Sequence, residues 1–392
     1  MPWCRVGVIW CATTLASAPL WAQQRPREDF RWPVVPGGES LPTLVLTAPP
    51  RFSVGSVAGP EHTLFNGVSG AVMQAGGGIA VGDAGNNRIV FFDSTGRLQQ
   101  SVGRLGDGPG EFRQQRWLGR CANGNLAVHD GVHARLSYFS PEGRPLQSDA
   151  LPVGANFDRM LWCAGSGGRM VMIFDRLRDP VKRGEYIRAP VSVVRIDGPA
   201  IDTSLVGAQE RYIGNRVRAG STVPLGEDAG SAAAAGRLYV CETLTARCSV
   251  FDTTAVRLRN FVVPNQGLTR RVTNADWQLA LERHLDGEPT ASSRKIARQV
   301  LKEVRPRRQF PRIDRVVGDD DGNLWVRTFD NFRSSIATWV VVNEHGTPIG
   351  LAATDRRLHV LRAGRDYLIG VRYDQDGVEH IEMHRFRPFL RR

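Results

Sequence analysis

Copies of one segment, apolar alternation within each copy, and Gly, Asn and Asp turns at regular spacing predict an all-β repeat fold. The repeat length and four strands per copy specify a six-bladed β-propeller, closed by an N-terminal strand and carrying a helical hairpin insert. The clearest copy runs from Ala80 to Phe92 (Ala80-Val81-Gly82-Asp83…Asn87-Arg88-Ile89-Val90-Phe91-Phe92) and recurs from Ala127 to Phe139 (Ala127-Val128-His129-Asp130…Arg135-Leu136-Ser137-Tyr138-Phe139). Gly96-Arg97 and Gly143-Arg144 follow in the same register. A third copy is Tyr239-Val240-Cys241-Glu242 with Arg247-Cys248-Ser249-Val250-Phe251-Asp252, and weaker copies begin at Gly168, Asp321 and Asp366. The units fall near 65–112, 113–157, 158–214, 215–264, 312–350 and 358–388.

The closing strand is expected at Phe52-Ser53-Val54-Gly55, which copies the outer-strand ending Ser101-Val102-Gly103. A strand from the opposite terminus covers an otherwise exposed sheet edge. Residues 41–392 are thus one propeller. Residues 23–40 are expected to be a flexible N-terminal segment, and residues 1–22 a signal peptide. Arg5 precedes an apolar run from Val6 to Leu20, and Ala22 stands before a polar stretch. The run is shorter than the roughly 20 residues of a membrane span, and Trp10 before Cys11 spoils a lipoprotein box. The expected location is periplasmic or extracellular.

Export makes the cysteines after residue 22 readable as disulfides. If Leu244-Thr245 is a two-residue turn, Cys241 faces Cys248, which leaves Cys121 for Cys163. No Cys-x-x-Cys or zinc-type His spacing is present.

Residues 265–311 interrupt the repeat. A first helix follows Thr273 or Asn274 as N-cap and runs to Leu285. A second starts near Ser292 or Ser293, places Ile296, Val300 and Val304 on one face with Ala297 and Leu301 beside them, and stops before Pro306. Its other face carries Arg294, Lys295, Arg298 and Lys302, continued by Arg305, Arg307, Arg308, Arg312 and Arg315. The hairpin either packs over one propeller face with a solvated basic side, or docks an anionic surface or partner. The formal net charge of +12, almost all of its cations arginine, points to acidic partners such as nucleic acid, anionic lipid or polyanionic sugar. Export, and the lack of stacking aromatics interleaved with the basic run, count against nucleic acid.

The other chemical candidates read as structure. Gly106-Asp107-Gly108-Pro109-Gly110-Glu111 has no Gly-Lys-Ser/Thr ending and serves as a crossover between blades. Asp319-Asp320-Asp321-Gly322-Asn323 superficially resembles a calcium loop but lacks the distal Glu. Calcium is the one cofactor this leaves open, and none is expected. His129 and His133 lie at metal-ligand spacing on a turn that fixes no common face. Asp83, Asp130 and Glu242 share one repeat position and face Arg88, Arg135 and Arg247 across the same hairpin, which reads as a turn ion pair of little worth where exposed. No Gly-x-Ser-x-Gly elbow appears.

Asp83…Asn87-Arg88-Ile89-Val90-Phe91-Phe92-Asp93…Gly96-Arg97 with Gly103-Arg104-Leu105-Gly106-Asp107-Gly108-Pro109-Gly110-Glu111-Phe112 resembles the NHL-repeat, six-bladed β-propeller group exported by bacteria, over nearly all of the chain after residue 22. That group is largely uncharacterised, so the resemblance implies a fold and an export route. The function expected is an exported, monomeric binding protein that holds a protein, peptide or glycan, without a catalytic residue to name. The alternative is a metal-dependent hydrolase or lyase, because related lactonase-like six-bladed families hold a divalent ion in the central channel. A channel lined by carboxylate, Asn and His would favour the enzyme. Apolar or arginine lining would favour binding.

Overall fold

The computed structural model of the chain describes residue 32 and residues 41–46, 49–151, 159–164, 170–175, 182–197, 200–215, 220–264, 271–286, 291–329, 332 and 334–387. The proposed signal segment, and most of the segment from 23 to 40, lie outside the described residues.

The fold is propeller-like and mostly β, built among the described residues from six antiparallel sheets with a fifth, parallel strand added to one of them. In chain order the sheets span residues 68–102, 115–150, 159–222, 229–262, 313–355 and 358–385. The first strand of each sheet lies against the first strand of the next, and that of the sixth lies against Val68–Met73 of the first.

The apolar runs have a physical cause in this packing. Successive side chains of a strand point to opposite faces. Ile79, Val81, Val90 and Phe92 therefore join the core shared with the sixth sheet (Ile369, Val371, Ile381, Met383). Ala80, Ile89 and Phe91 join the core shared with the second sheet (Leu126, Val128, Phe139) and with Phe112 of the crossover before it. With both faces covered, Ile79–Asp83 and Arg88–Phe92 are buried at every position. The last strands have no such cover: Leu98–Val102 and Pro145–Ala150 are largely exposed.

The N-terminal segment serves two sheets. Phe52–Val54 pairs antiparallel with Glu379–Arg385, as the sequence predicts. Thr43–Leu46 unexpectedly adds a parallel strand to Pro348–Asp355 of the fifth sheet. The third sheet also exceeds its predicted bounds. Its hairpin strands, Tyr186–Asp197 and Ala200–Ile213, are long, and Gly220–Thr222 follows as a fifth strand.

Both disulfides form, Cys121–Cys163 and Cys241–Cys248, with Cα atoms 4.7 and 4.0 Å apart. Cys241 does oppose Cys248, but the turn is not the two-residue one expected. Ala246 N–H donates to Glu242 O over 2.9 Å, and Ala246 takes φ of 56°. The wider turn reaches the same register because a left-handed residue restores the direction of the returning strand.

Helix α1 (Asn274–Asp286) and helix α2 (Ala291–Leu301) form the insert. Thr273 caps α1 reciprocally: Asp276 N–H donates to Thr273 Oγ1 (3.2 Å), and Thr273 N–H donates to Asp276 Oδ2 (2.9 Å). This is a capping box with Asp in the role of Glu. Trp277, Ala280, Val300, Leu301 and Val304 bury against Tyr212 of the third sheet, Val223 and Leu225 just after it, and Phe329 in the fifth. Ile296, expected in this core, is instead 38% exposed. Among the described residues no helix is long and apolar enough to cross a membrane.

Candidate functional site

A cavity of about 270 Å³ opens where α1 meets the fifth and sixth sheets. Among the described residues four arginines, Arg283, Arg327, Arg356 and Arg357, line it with a single carboxylate, Asp314. His359, Tyr373 and Phe332 complete the wall.

Each side chain is aimed by local backbone. The ladder between Ile313–Gly318 and Leu324–Thr328 slips between Ile313 and Arg315, which leaves Asp314 on a bulge. Bulges re-aim side chains; here Asp314 Oδ1 comes to 2.6 Å from Arg327 Nε. The Arg327 guanidinium also lies 5.8 Å from the centre of the buried Trp339 ring. Arg356 and Arg357 occupy the turn between Pro348–Asp355 and Leu358–Ala363. Arg356 Nε donates to Ser334 O (2.7 Å), and Arg357 N–H donates to Asp355 Oδ1 (2.7 Å). Asp355 also accepts from Arg372 Nη1 (2.7 Å), so one carboxylate serves two cations. Arg283 comes from the insert; its guanidinium lies 4.8 Å from the centre of the Phe332 ring and donates to Phe332 O (3.2 Å). Phe332 adopts φ of 65°, a conformation costly for a bulky side chain and concentrated at functional sites.

The electrostatics follow from crowding cations in a partly dry space. Burial pushes Arg356 down to about 10, with the Arg327 and Arg283 charges adding to the fall and Asp314 opposing it. Burial and then Arg327 lower Arg283 as well, against Asp286 and Asp314. His359 lines the cavity with its ring open to it and two guanidinium groups nearby. Desolvation first, and then the Arg315 and Arg327 charges, hold it at about 3. Its imidazole is therefore neutral at pH 7, with Arg315 Nη1 3.0 Å from Nδ1. Such an arrangement stores positive potential for an anion that presents several acceptor oxygens to planar guanidinium donors.

The predicted basic run lies elsewhere. Arg294, Lys295, Arg298, Lys302, Arg305 and Arg308 are exposed on or just after α2. Arg307 does not join them: it turns inward, ion-pairs with Glu210 and lies over the Tyr186 ring. The pocket arginines went unread because they come from three separate stretches of sequence and share no motif. Arg356-Arg357 between two strands is the one local signal.

The remaining candidates are absorbed by structure. Glu111 fills its own glycine loop, accepting from Gly108 N–H (2.9 Å) and Arg104 Nε (2.7 Å). Asp319 accepts from the backbone N–H groups of Asp321 (2.9 Å) and Asn323 (2.8 Å) and from Trp325 Nε1 (3.2 Å). Asp320 and Asp321 receive Arg362 and Arg365. His129 is buried, and burial takes it down to about 4. His133 is instead clamped between Asp130 and Asp107, 2.7 Å from each. The recurring turn ion pair is close in the first copy, long in the second and not seen in the third. Asp83 and Arg88 meet at 2.9 Å, and the pair is buried rather than exposed. Arg135 stands 4.0 Å from Asp130, and Glu242 accepts from Thr245. Among the described residues no group of three or more His, Cys, Asp and Glu is placed to hold a metal ion.

No protein-family profile matches the chain, and no curated protein does. Solved structures are similar in outline at low identity. A candidate exported protein from Bacteroides fragilis is 11% identical, covering 88% of this chain and 99% of its own, with a TM-score of 0.47. A member of the DUF4221 family from Bacteroides vulgatus is 10% identical, covering 85% and 96%, with a TM-score of 0.48. Regucalcin, a calcium-binding protein from Agrobacterium tumefaciens, is 10% identical, covering 90% and 99%, with a TM-score of 0.42.

Proposed function

We propose that the chain is an exported six-bladed β-propeller, closed by its N-terminal strand, that binds an anionic ligand in the arginine-walled pocket. Six successive sheets, cores shared by neighbours, and the contact of the sixth sheet with the first support the closed ring. Two disulfides and the signal-like N-terminus support export, because such bonds persist in oxidising compartments. The observation that carries the binding role is the wall itself: among the described residues it presents four guanidinium groups and one carboxylate, Asp314, with Asp355 behind it pairing Arg357 and with two of the cations depressed by burial. Arginine lining favours binding over metal-dependent chemistry.

Calorimetric titration with sulfate, phosphate and citrate, at ionic strength held constant with chloride, tests this. Saturable binding of a multivalent anion, with a matching rise in melting temperature, is expected. Ligand at about 100 times its Kd stabilises by about 2.7 kcal/mol. Shifts no larger than those given by chloride would sink the proposal.

A further inference from the structure

The basic stripe of α2 begins one hydrogen bond away from the helix that supplies the pocket's Arg283. Arg283 lines the pocket, and Leu285, two residues on, accepts a hydrogen bond from Arg294 Nε at 3.0 Å. From Arg294 the exposed cations step along one face of α2 to Arg298, at i+4, and then to Lys302 just past the helix end. By helical rise that stripe extends about 12 Å beyond Arg294. It ends where the chain turns Arg307 in to Glu210.

Two anionic partners could be considered for such a stripe, and the packing separates them. A helix that lies in a bilayer surface needs an apolar face to bury among the lipids. Here Ala297, Val300 and Leu301 are already committed to the insert's own core, and only Ile296 is left outside. The partner is therefore a soluble polyanion. The pocket narrows the class. Asp314 stands among the arginines, and Phe332 and Tyr373 share the wall. A carboxylate there favours a ligand that also carries hydroxyl donors, and aromatic rings suit the C–H face of a sugar ring. A bare phosphate chain offers neither.

Resting on the pocket reading, we infer that the pocket and the α2 stripe hold one linear acidic polysaccharide, its end group in the pocket and its following units along Arg294, Arg298 and Lys302.

The test uses the full mature chain and four probes: inorganic sulfate, dextran sulfate, polygalacturonate and polyphosphate, with phosphatidylglycerol vesicles as the lipid control. A polysaccharide is expected to bind at least about tenfold tighter than the short anion, since its second contact is intramolecular. The preference between dextran sulfate and polygalacturonate identifies the anionic group. Arg298→Glu with Lys302→Glu, both exposed, should weaken polysaccharide binding about tenfold or more while sulfate binding stays within about twofold. The same loss with Arg298→Gln and Lys302→Gln, at unchanged melting temperature, excludes a folding effect. Polysaccharide binding that survives both pairs of changes overturns the inference and leaves the pocket standing. Equal affinity for polyphosphate, or tighter binding to the vesicles, overturns the sugar assignment. Failure of wild type to bind even sulfate removes the pocket reading itself.

Discussion

Replacing Arg356 with Gln separates a binding pocket from a structural ion cluster, because the two predict opposite changes in stability. In the free protein, burial and neighbouring guanidinium groups bring Arg356 down to about 10. Its ordinary value lies above about 12, so the charged form is disfavoured by roughly 3 kcal/mol at neutral pH. Solvent in the open cavity screens part of this, which leaves about 1–2 kcal/mol to be relieved. Gln removes the charge and keeps an N–H donor for Ser334 O. The variant should melt at an unchanged temperature or up to about 2.5 °C higher. Its affinity for a multivalent anion should fall about tenfold to a hundredfold, the worth of a charge-assisted hydrogen bond of about 1.5–3 kcal/mol. Differential scanning calorimetry and titration calorimetry on the same preparation read both effects. A drop of several degrees with anion binding intact would refute the reasoning, since it would mark Arg356 as a structural brace.

Four further outcomes follow from the same structure. His359 is held at about 3, below its ordinary value of about 6.5, so the unfolded chain takes up a proton there before the folded one does. Stability from this group is lost as pH falls from about 7 toward 3, whereas a bound anion favours the protonated ring. Anion affinity should therefore rise on acidification, and His359→Gln should flatten that rise in titrations between pH 7 and 4. Removing the Cys121–Cys163 bridge, with a sequence separation of 42, should cost about 4 kcal/mol, against about 2.5 kcal/mol for Cys241–Cys248 with a separation of 7; chemical denaturation of the paired Cys→Ser variants checks the order. Thr273→Ala should cost about 1 kcal/mol by removing the α1 cap, visible as faster proteolysis within the insert. Deleting residues 41–57 should lower the melting temperature sharply and drive association, seen by size-exclusion chromatography, because the edges of Glu379–Arg385 and Pro348–Asp355 are uncovered.

Most of the strands were legible because the same side chains recur wherever the same packing recurs. Ala80-Val81 and Ala127-Val128 each divide their alternate residues between two neighbouring cores, so the repeat in sequence is a repeat of environment. Thr43–Leu46 escaped because a short parallel strand has no turn of its own to announce it. The recurring acid–arginine position misled for a related reason. Only Asp83 has Arg88 within close reach, whereas Asp130 is claimed by the Arg113 and Gln114 backbone and by His133. A shared register guarantees the backbone neighbour, and the flanking loop then decides the side-chain partner.

The pocket shows why function was harder to read than fold. Repeats keep what every blade needs, and a site is built from what one blade does differently. Asp314 is aimed by a bulge, and bulges also occur in the first strands of the first, second, third and sixth sheets. The device is common, but only here does the bulged residue meet an arginine on the adjacent strand at 2.6 Å. The insert then adds Arg283 from outside the repeat. Folding alone would not favour this crowd of guanidinium groups, since burial and mutual repulsion lower two of them. A cluster whose members oppose one another in the free protein gains most when an anion arrives, and that gain is the physical argument for a ligand here.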